Sequence, residues 1–240
     1  VCYTPLMRTF FFLILLALFI GIGSFGWSVT RHYRAIQRGD SNPFLNRILS
    51  SSISRAIANT RVTAGDIARL ADPKAPSLGS PDAKLIVVEF LDYDCPFSHQ
   101  SVCPIREAMD AYQDRVRFIV RDFPIEEIHP SAIPAALAAR CAHEQGKFWP
   151  YHDKLFAQQG RREEADFLRF AREVGLEETA FLTCYRTKKY QTQIHEDIQT
   201  GLQAGVQGTP TFFFNGTRIQ GGMDNARIFA FLLEQFLGKP

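Results

Sequence analysis

An apolar run followed closely by a cysteine-proline pair limits most strongly how this chain can fold. The run between Lys84 and Leu91 is typical of a buried strand, and the motif Cys95-Pro96-Phe97-Ser98 follows it after three residues. Proline lacks an N–H group and is therefore favoured in the first turn of a helix, where that group would have no partner. The sequence predicts a buried strand, a sharp corner at Cys95, and a helix that extends to about Tyr112.

The corner position favours a reactive thiol at Cys95. A helix dipole and free backbone N–H groups stabilise negative charge at a helix N-terminus, and the thiolate is the nucleophilic form of cysteine. His99 follows one helical turn later, and its protonated ring would favour the thiolate further. We expect Cys95 to be an exposed nucleophile, with Pro96, Phe97, Ser98 and His99 completing the catalytic motif.

A metal site is the alternative for this helix, because Cys95, His99 and Cys103 recur every four residues on one face. Zinc is usually held by four ligands, and the other histidines of the chain lack ligand spacing. We therefore expect no metal ion and a Cys103 side chain that packs within the domain.

Three separated blocks of sequence resemble the DsbA-like branch of the thioredoxin superfamily. They are LIVVEFLDYDC at residues 85–95, CAHEQGKFW within the block 139–156, and GVQGTPTFFFNG at residues 205–216. The resemblance implies an α/β protein with a thioredoxin fold and a helical insertion domain at about 124–205. The chain departs from the family pattern at Ser98, where the family usually carries a second cysteine.

The periodicity of the remaining sequence fits this fold. Strands are predicted at residues 116–121, 211–214 and 217–220, and Asn215-Gly216 between the last two is a strong hairpin signal. Helices are predicted at residues 132–142, 149–158, 165–174 and 179–203, followed by a final helix.

The resemblance also implies roles for residues outside the motif. It implies a cis peptide bond between Thr209 and Pro210, opposite Cys95, where the Thr209 backbone can hold an extended substrate segment. It further implies a structural disulfide between Cys141 and Cys184. Two unpaired buried thiols are the alternative to that disulfide.

Glu89, six residues before Cys95, matches a buried acid that relays protons in this superfamily. An ordinary ion pair of this carboxylate with Arg117 or Arg121 of the next strand is the alternative.

The spacing of the sequence leaves Cys95 without a resolving partner. Ser98 occupies the position three residues along the helix, where side chains lie within roughly 5–6 Å of one another. Cys103 lies about 12 Å along the helix, whereas a disulfide needs Cα atoms closer than about 7 Å. We therefore expect a single-cysteine route, in which an external thiol or the client's second cysteine releases the mixed disulfide and Ser98 donates a hydrogen bond to the thiolate.

The N-terminal part of the chain differs in composition from the rest. Residues 1–8 form a tail, and residues 9–27 carry no charge and are long enough to cross a bilayer core of about 30 Å. We favour an uncleaved transmembrane anchor there, with a cleaved signal peptide as the alternative. Residues 28–75 are predicted to form a helical spacer and linker, and residues 76–240 the thioredoxin-like domain.

The charges that flank the apolar segment bear on its orientation. Arg31, Arg34 and Arg38 follow the segment, and this pattern alone would keep the domain in the cytoplasm. Large domains can nevertheless be translocated despite flanking charge, and we give the disulfide chemistry more weight. The expectation is a single-pass inner-membrane protein whose catalytic domain lies in the periplasm.

The function predicted from these features is membrane-anchored thiol-disulfide exchange, as an oxidoreductase or isomerase, on unfolded or disulfide-bearing protein substrates. A redox-inactive substrate-binding protein and a glutathione-dependent transferase or reductase are the alternatives. No bound cofactor is expected, with glutathione as a candidate co-substrate and a membrane redox protein as a candidate partner. The net charge of +2, without a basic run, gives no case for nucleic acid.

Overall fold

A five-stranded mixed sheet lies at the centre of the computed structural model, which describes residues 64–237, with side chains from residue 67 onward. The strands are β1 (Ser77–Gly79), β2 (Leu85–Leu91), β3 (Val116–Asp122), β4 (Thr211–Phe214) and β5 (Thr217–Gln220). Their order in the sheet is β1-β3-β2-β4-β5. β2 and β3 are parallel, and the other neighbours pair antiparallel.

Helices cover this sheet and fill the insertion within the described part of the chain. They are α1 (Ala64–Leu70), α2 (Pro96–Tyr112), α3 (Ala132–Glu144), α4 (Phe148–Ala157), α5 (Glu164–Glu173), α6 (Glu178–Arg186), α7 (Gln191–Gln203) and α8 (Ala226–Leu237). α2 is the crossover between β2 and β3, since parallel strands cannot be joined by a tight turn. The insertion between β3 and β4 consists of α3 to α7.

Both faces of the sheet are buried, because alternate residues of each strand point to opposite sides. On one face, Phe118, Phe212 and Phe214 pack around Phe229 of α8, with ring centroids 5.9 to 6.3 Å apart. On the other face, Phe90 belongs to an apolar cluster that includes side chains of α1 and α7. A strand covered on both sides is nearly all apolar, which is the pattern that predicted β2.

The sequence-predicted strands and the helix after Cys95 are confirmed, with ends that differ by one residue. The helix continues through Pro104 to Tyr112. β1 was not predicted from the sequence, and it pairs with β3. One expectation is wrong. The single helix predicted at 179–203 is divided into α6 and α7 by a turn in which Lys188 has a φ of 51°.

A disulfide joins two helices of the insertion. The sulfur atoms of Cys141 in α3 and Cys184 in α6 are bonded at 2.01 Å, with their Cα atoms 5.8 Å apart. The pairing implied by the family resemblance is therefore present in the structure, in place of two unpaired thiols.

Four buried charged side chains join the insertion to the sheet. Arg121 Nη2 lies 2.7 Å from Asp197 Oδ1, and Arg140 Nε lies 2.6 Å from Asp122 Oδ2. Arg140 also pairs with Asp197. Because Arg121 and Asp122 belong to β3, Arg140 to α3 and Asp197 to α7, these ion pairs connect three elements.

The expected tail, the membrane anchor and most of the spacer fall in residues 1–63, outside the described residues. Between residues 64 and 237, none of the helices has the length and apolar character that crossing a membrane would require.

Candidate active site

Cys95 sits at the corner between β2 and α2. It is the N-cap residue of α2, with an extended backbone, and Pro96 occupies the first helical turn. The Cys95 carbonyl accepts the first hydrogen bond of the helix, from the His99 N–H at 3.1 Å. Cys95 therefore lies at the N-terminal end of α2, where the helix dipole favours negative charge.

The Cys95 thiol points at the segment that precedes β4. Its Sγ donates to the Thr209 carbonyl oxygen at 3.1 Å, and the bond between Thr209 and Pro210 is cis. These residues meet because β4 lies antiparallel beside β2, with Phe90 opposite Thr211. Residues that are far apart in sequence thus form one site.

The surroundings of the sulfur are more closed than the sequence suggested. Cys95 is only 5% exposed, so the expectation of an exposed sulfur is wrong. Phe97 beside it is 57% exposed, and Pro96 is also exposed. The corner therefore presents an apolar ring to solvent and keeps its thiol beneath the surface.

Ser98 does not have the role expected of it in this state. The residue is 1% exposed, and its Oγ has no hydrogen-bond partner, so the expected bond to the Cys95 sulfur is absent. Ser101, which was not identified from the sequence, uses its hydroxyl group both as a hydrogen-bond donor and as an acceptor. Its Oγ donates to the Phe97 oxygen at 3.0 Å and accepts from the Met223 N–H at 2.8 Å, joining α2 to the loop after β5.

His99 and Cys103 lie on the outer side of α2. The His99 ring stacks on Phe156 of α4, with centroids 6.2 Å apart. Cys103 is an exposed free thiol, so the expectation that it packs within the domain is wrong. No group of three metal-binding side chains is found among the described residues.

Glu89 is buried in the sheet beneath the corner and is 4% exposed. Burial raises its pKa to about 8, so that the carboxyl group is mainly protonated at neutral pH. The alternative of an ion pair with Arg117 or Arg121 is wrong. In the parallel register Glu89 stands opposite Val120, which places both arginines on the other face of the sheet.

A small cavity of about 10 Å³ adjoins Glu89, with His152 of α4 in its wall. Such a volume has room for about one water molecule. His152 Nδ1 bonds to Asp153 Oδ1 at 2.9 Å, and burial lowers the pKa of His152 despite this contact. The sequence singled out neither residue.

Polar side chains brace the corner, and sequence reasoning missed them. The buried carboxylate of Asp92 accepts from the Asp94 and Ile125 N–H groups and contacts His129 Nδ1, each at 2.8 Å. Gln159 Nε2 donates to the carbonyl oxygen of Cys95 at 3.1 Å. The only feature of the sequence that could have indicated these contacts is the Asp-Tyr-Asp run between the strand and Cys95.

A larger cavity of about 680 Å³ opens beside the corner, and we call it the corner cavity. It lies between the loop from β3 to α3 and the loop from α4 to α5. Its lining residues are Asp94, Ile128, His129, Pro130, Ser131, Gly160, Arg161, Arg162 and Glu163.

A strand, a cysteine corner and a helix, with the thiol facing a cis-proline segment, define the class of thioredoxin-fold thiol proteins. A family model described as "Thioredoxin" matches residues 71–233, and the chain belongs to that family. The resemblance to the thioredoxin superfamily seen in the sequence is therefore confirmed.

Two solved structures illustrate the likeness. A thioredoxin-like oxidoreductase from Silicibacter pomeroyi DSS-3 is 30% identical, with a TM-score of 0.63 over 70% of this chain and 95% of that chain. The thiol-disulfide exchange protein alpha-DsbA2 from Wolbachia pipientis has the same TM-score of 0.63 at 20% identity, over 82% of this chain and 98% of that chain. At that lower identity the likeness shows the fold alone.

Curated relatives of similar sequence carry a different kind of name. A protein named Na(+)/H(+) antiporter NhaA 3 from Salinispora tropica is 32% identical over 191 residues. The match takes in 79% of this chain but 29% of the antiporter. The chain thus spans less than a third of the length of this relative.

Proposed function

We propose that this protein exchanges thiols and disulfides in protein substrates through Cys95 alone. The observation that carries the proposal is the Cys95 thiol at the N-terminus of α2, facing the Thr209 carbonyl, with Ser98 in place of a second cysteine. Cys103 is exposed farther along α2, and Cys141 and Cys184 are already bonded to each other. Among the described residues, no second thiol is therefore placed to complete a cycle within the chain.

The chemistry follows from one nucleophilic sulfur. The Cys95 thiolate attacks one sulfur of a client disulfide, forms a mixed disulfide, and releases the client's other sulfur as a thiolate. If a different cysteine of the client then attacks the mixed disulfide and releases Cys95, the client is isomerised, whereas attack by an external thiol leads to its reduction. Return of the released thiol itself only restores the original disulfide. Oxidation completed within the chain would need a second cysteine in reach.

Substrate binding is proposed at the Thr209-Pro210 segment and at Phe97. In the structure the Thr209 carbonyl oxygen accepts a hydrogen bond from the Cys95 thiol. Once the sulfur is a thiolate or part of a disulfide, it no longer donates, and this carbonyl becomes free to accept an N–H group of an extended client segment. The exposed ring of Phe97 offers that segment an apolar contact beside the sulfur.

Glu89 is proposed as the buried proton carrier of the exchange. Its raised pKa leaves a proton on the carboxyl group at neutral pH, in the sheet beneath the corner. A neutral acid at this place can supply the proton that a leaving sulfur needs.

Reduction and refolding assays test the proposal. The protein should reduce insulin and reactivate scrambled ribonuclease when a small thiol is present, and Cys95→Ala should remove both activities. Cys103→Ser is the matched control, since it removes the other free described thiol and should leave both unchanged. Activity that survives in Cys95→Ala would rule the mechanism out.

A substrate-binding role without turnover is the second candidate. The observation in its favour is the low exposure of Cys95 beside an exposed Phe97, an arrangement that could bind a client without attacking it. Under this alternative, Cys95→Ala would still suppress aggregation of an unfolded client as well as the unchanged protein does, and neither would reduce insulin. Ser98→Cys provides a further distinction, because it should restore self-resolved oxidation only if Cys95 is competent.

We further propose that residues 9–27 anchor the protein in the inner membrane, with residues 76–240 in the periplasm. The disulfide between Cys141 and Cys184 supports this placement, since such bonds persist in oxidising compartments. A membrane redox protein that supplies or removes electrons would then be a suitable regenerating partner.

A further inference from the structure

We propose that the corner cavity binds a small carboxylated thiol of the glutathione class, which releases Cys95 from its mixed disulfides. This inference rests on the proposed single-cysteine exchange, because that route requires a thiol from outside the chain.

The corner cavity is built against the residues that carry the sulfur. Asp94, in its wall, immediately precedes Cys95. Gln159 adjoins the lining residue Gly160, and its Nε2 donates to the carbonyl oxygens of Tyr93 at 3.0 Å and Cys95 at 3.1 Å. The loop that bounds the cavity is thus hydrogen-bonded to the corner itself, and a bound thiol would lie next to it.

The size and rim of the cavity suit a small peptide-like molecule. Its volume of about 680 Å³ falls within the range of roughly 300–1,000 Å³ that is usual for small-molecule sites. Ile128, which is 66% exposed, and Pro130 provide apolar surface at one side. Polar and charged groups make up most of the remaining wall, as a zwitterionic ligand requires.

One cation in the wall is available to a ligand. The other basic lining groups already have partners, since Arg162 pairs with Asp94 and His129 contacts Asp92. Arg161 is exposed and makes no ion pair within residues 64–237. A carboxylate can therefore bind Arg161 without breaking an existing contact, which favours an acidic thiol over a neutral one.

The reaction at this site balances with two molecules of the thiol. The first loses its proton to water, and its sulfur attacks the Cys95 sulfur of the mixed disulfide, so that the client leaves as a thiolate and takes up a proton. The second attacks the new mixed disulfide, forms the oxidised dimer of the small thiol, and releases the Cys95 thiolate. One client disulfide is reduced for each two small thiols oxidised.

Arg161→Gln tests the site when client reduction is driven by glutathione and, separately, by 2-mercaptoethanol, which has no carboxylate. The ratio of kcat/KM for glutathione to that for 2-mercaptoethanol should fall about tenfold, as expected when a hydrogen-bonded charge contact is lost. Arg161→Lys should recover most of the ratio. Arg115→Gln, which removes an exposed arginine between α2 and β3, is the matched control and should leave the ratio unchanged. An unchanged ratio in Arg161→Gln would overturn the proposal.

A binding measurement separates this inference from the exchange mechanism. S-methylglutathione cannot react, and its binding should shift the NMR signals of Ile128 in the unchanged protein and not in Arg161→Gln. Binding that depends on Arg161 in a protein without client turnover would support the site and defeat the proposed function. Turnover without such binding would support the function and defeat the site.

Discussion

At the scale of single residues, the protonation of Glu89 has consequences for stability. Because its pKa is about 8 in the folded protein and near 4.5 when unfolded, the folded state holds the extra proton between these values. The free energy of unfolding should therefore fall as the pH rises from 4.5 to about 8, by at most about 1.4 kcal/mol per pH unit. Glu89→Gln, which stays neutral, should flatten this pH dependence of stability in urea titrations.

Glu89→Gln should also slow the release of the mixed disulfide if Glu89 carries the proton. Release at the normal rate would show that Glu89 is not the proton carrier.

Residue positions were predicted correctly where one structural requirement determines the residue. Cys95 and Pro96 lie at the start of α2 as expected, because a helix N-terminus restricts the choice of side chain. Ser98 was assigned a hydrogen bond that the structure lacks, since spacing along a helix does not report the direction of a hydroxyl group. Gln159 could not be found from sequence, because its contact with Cys95 exists only after the insertion has folded back on the corner.

At the scale of elements, the buried ion pairs hold α3 and α7 to β3. Burial by itself would lower the pKa of Arg140, but the attraction of Asp122 and Asp197 outweighs it and raises the pKa. Asp197→Ala would leave the positive charges of Arg121 and Arg140 buried without the carboxylate that pairs with both. The variant should be less stable by about 3–5 kcal/mol in urea denaturation. Glu164→Ala, which breaks an exposed pair with Arg186 at 2.6 Å, is the control and should cost less than about 1 kcal/mol. Equal losses in the two variants would show that burial does not determine the cost.

Elements with a strong period were predicted well, whereas weakly patterned ones were not. β2 is nearly all apolar, β3 carries the apolar residues Phe118 to Val120 at its centre, and α2 has a proline at its start. β1 is three residues long and exists because β3 offers it an edge, so its pairing is a tertiary effect that the prolines around it obscured. The break between α6 and α7 depends on one positive φ at Lys188, a residue with no glycine-like signal.

At the scale of the whole molecule, the placement of the domain relative to the membrane can be tested with Cys103, which is an exposed free thiol. A membrane-impermeant maleimide should label it in intact cells if the domain lies outside the cytoplasm, and Cys103→Ser should lose that label. Labelling of Cys103 only after lysis would place the domain in the cytoplasm.

The fold could be predicted from three ordered sequence blocks, but the corner cavity could not, because its walls come from two loops that meet only in the folded insertion.

Exchange through the single sulfur of Cys95 can be tested by trapping the mixed disulfide that it forms. The protein is mixed with a disulfide-bearing client in the absence of a small thiol, quenched with acid, and mapped by mass spectrometry without reduction. We predict a client peptide joined to Cys95, which accumulates in the unchanged protein, is absent in Cys95→Ala, and is depleted in Ser98→Cys because that variant resolves it. A map in which Cys95 remains a free thiol, or is bonded to another cysteine of its own chain, would contradict the account.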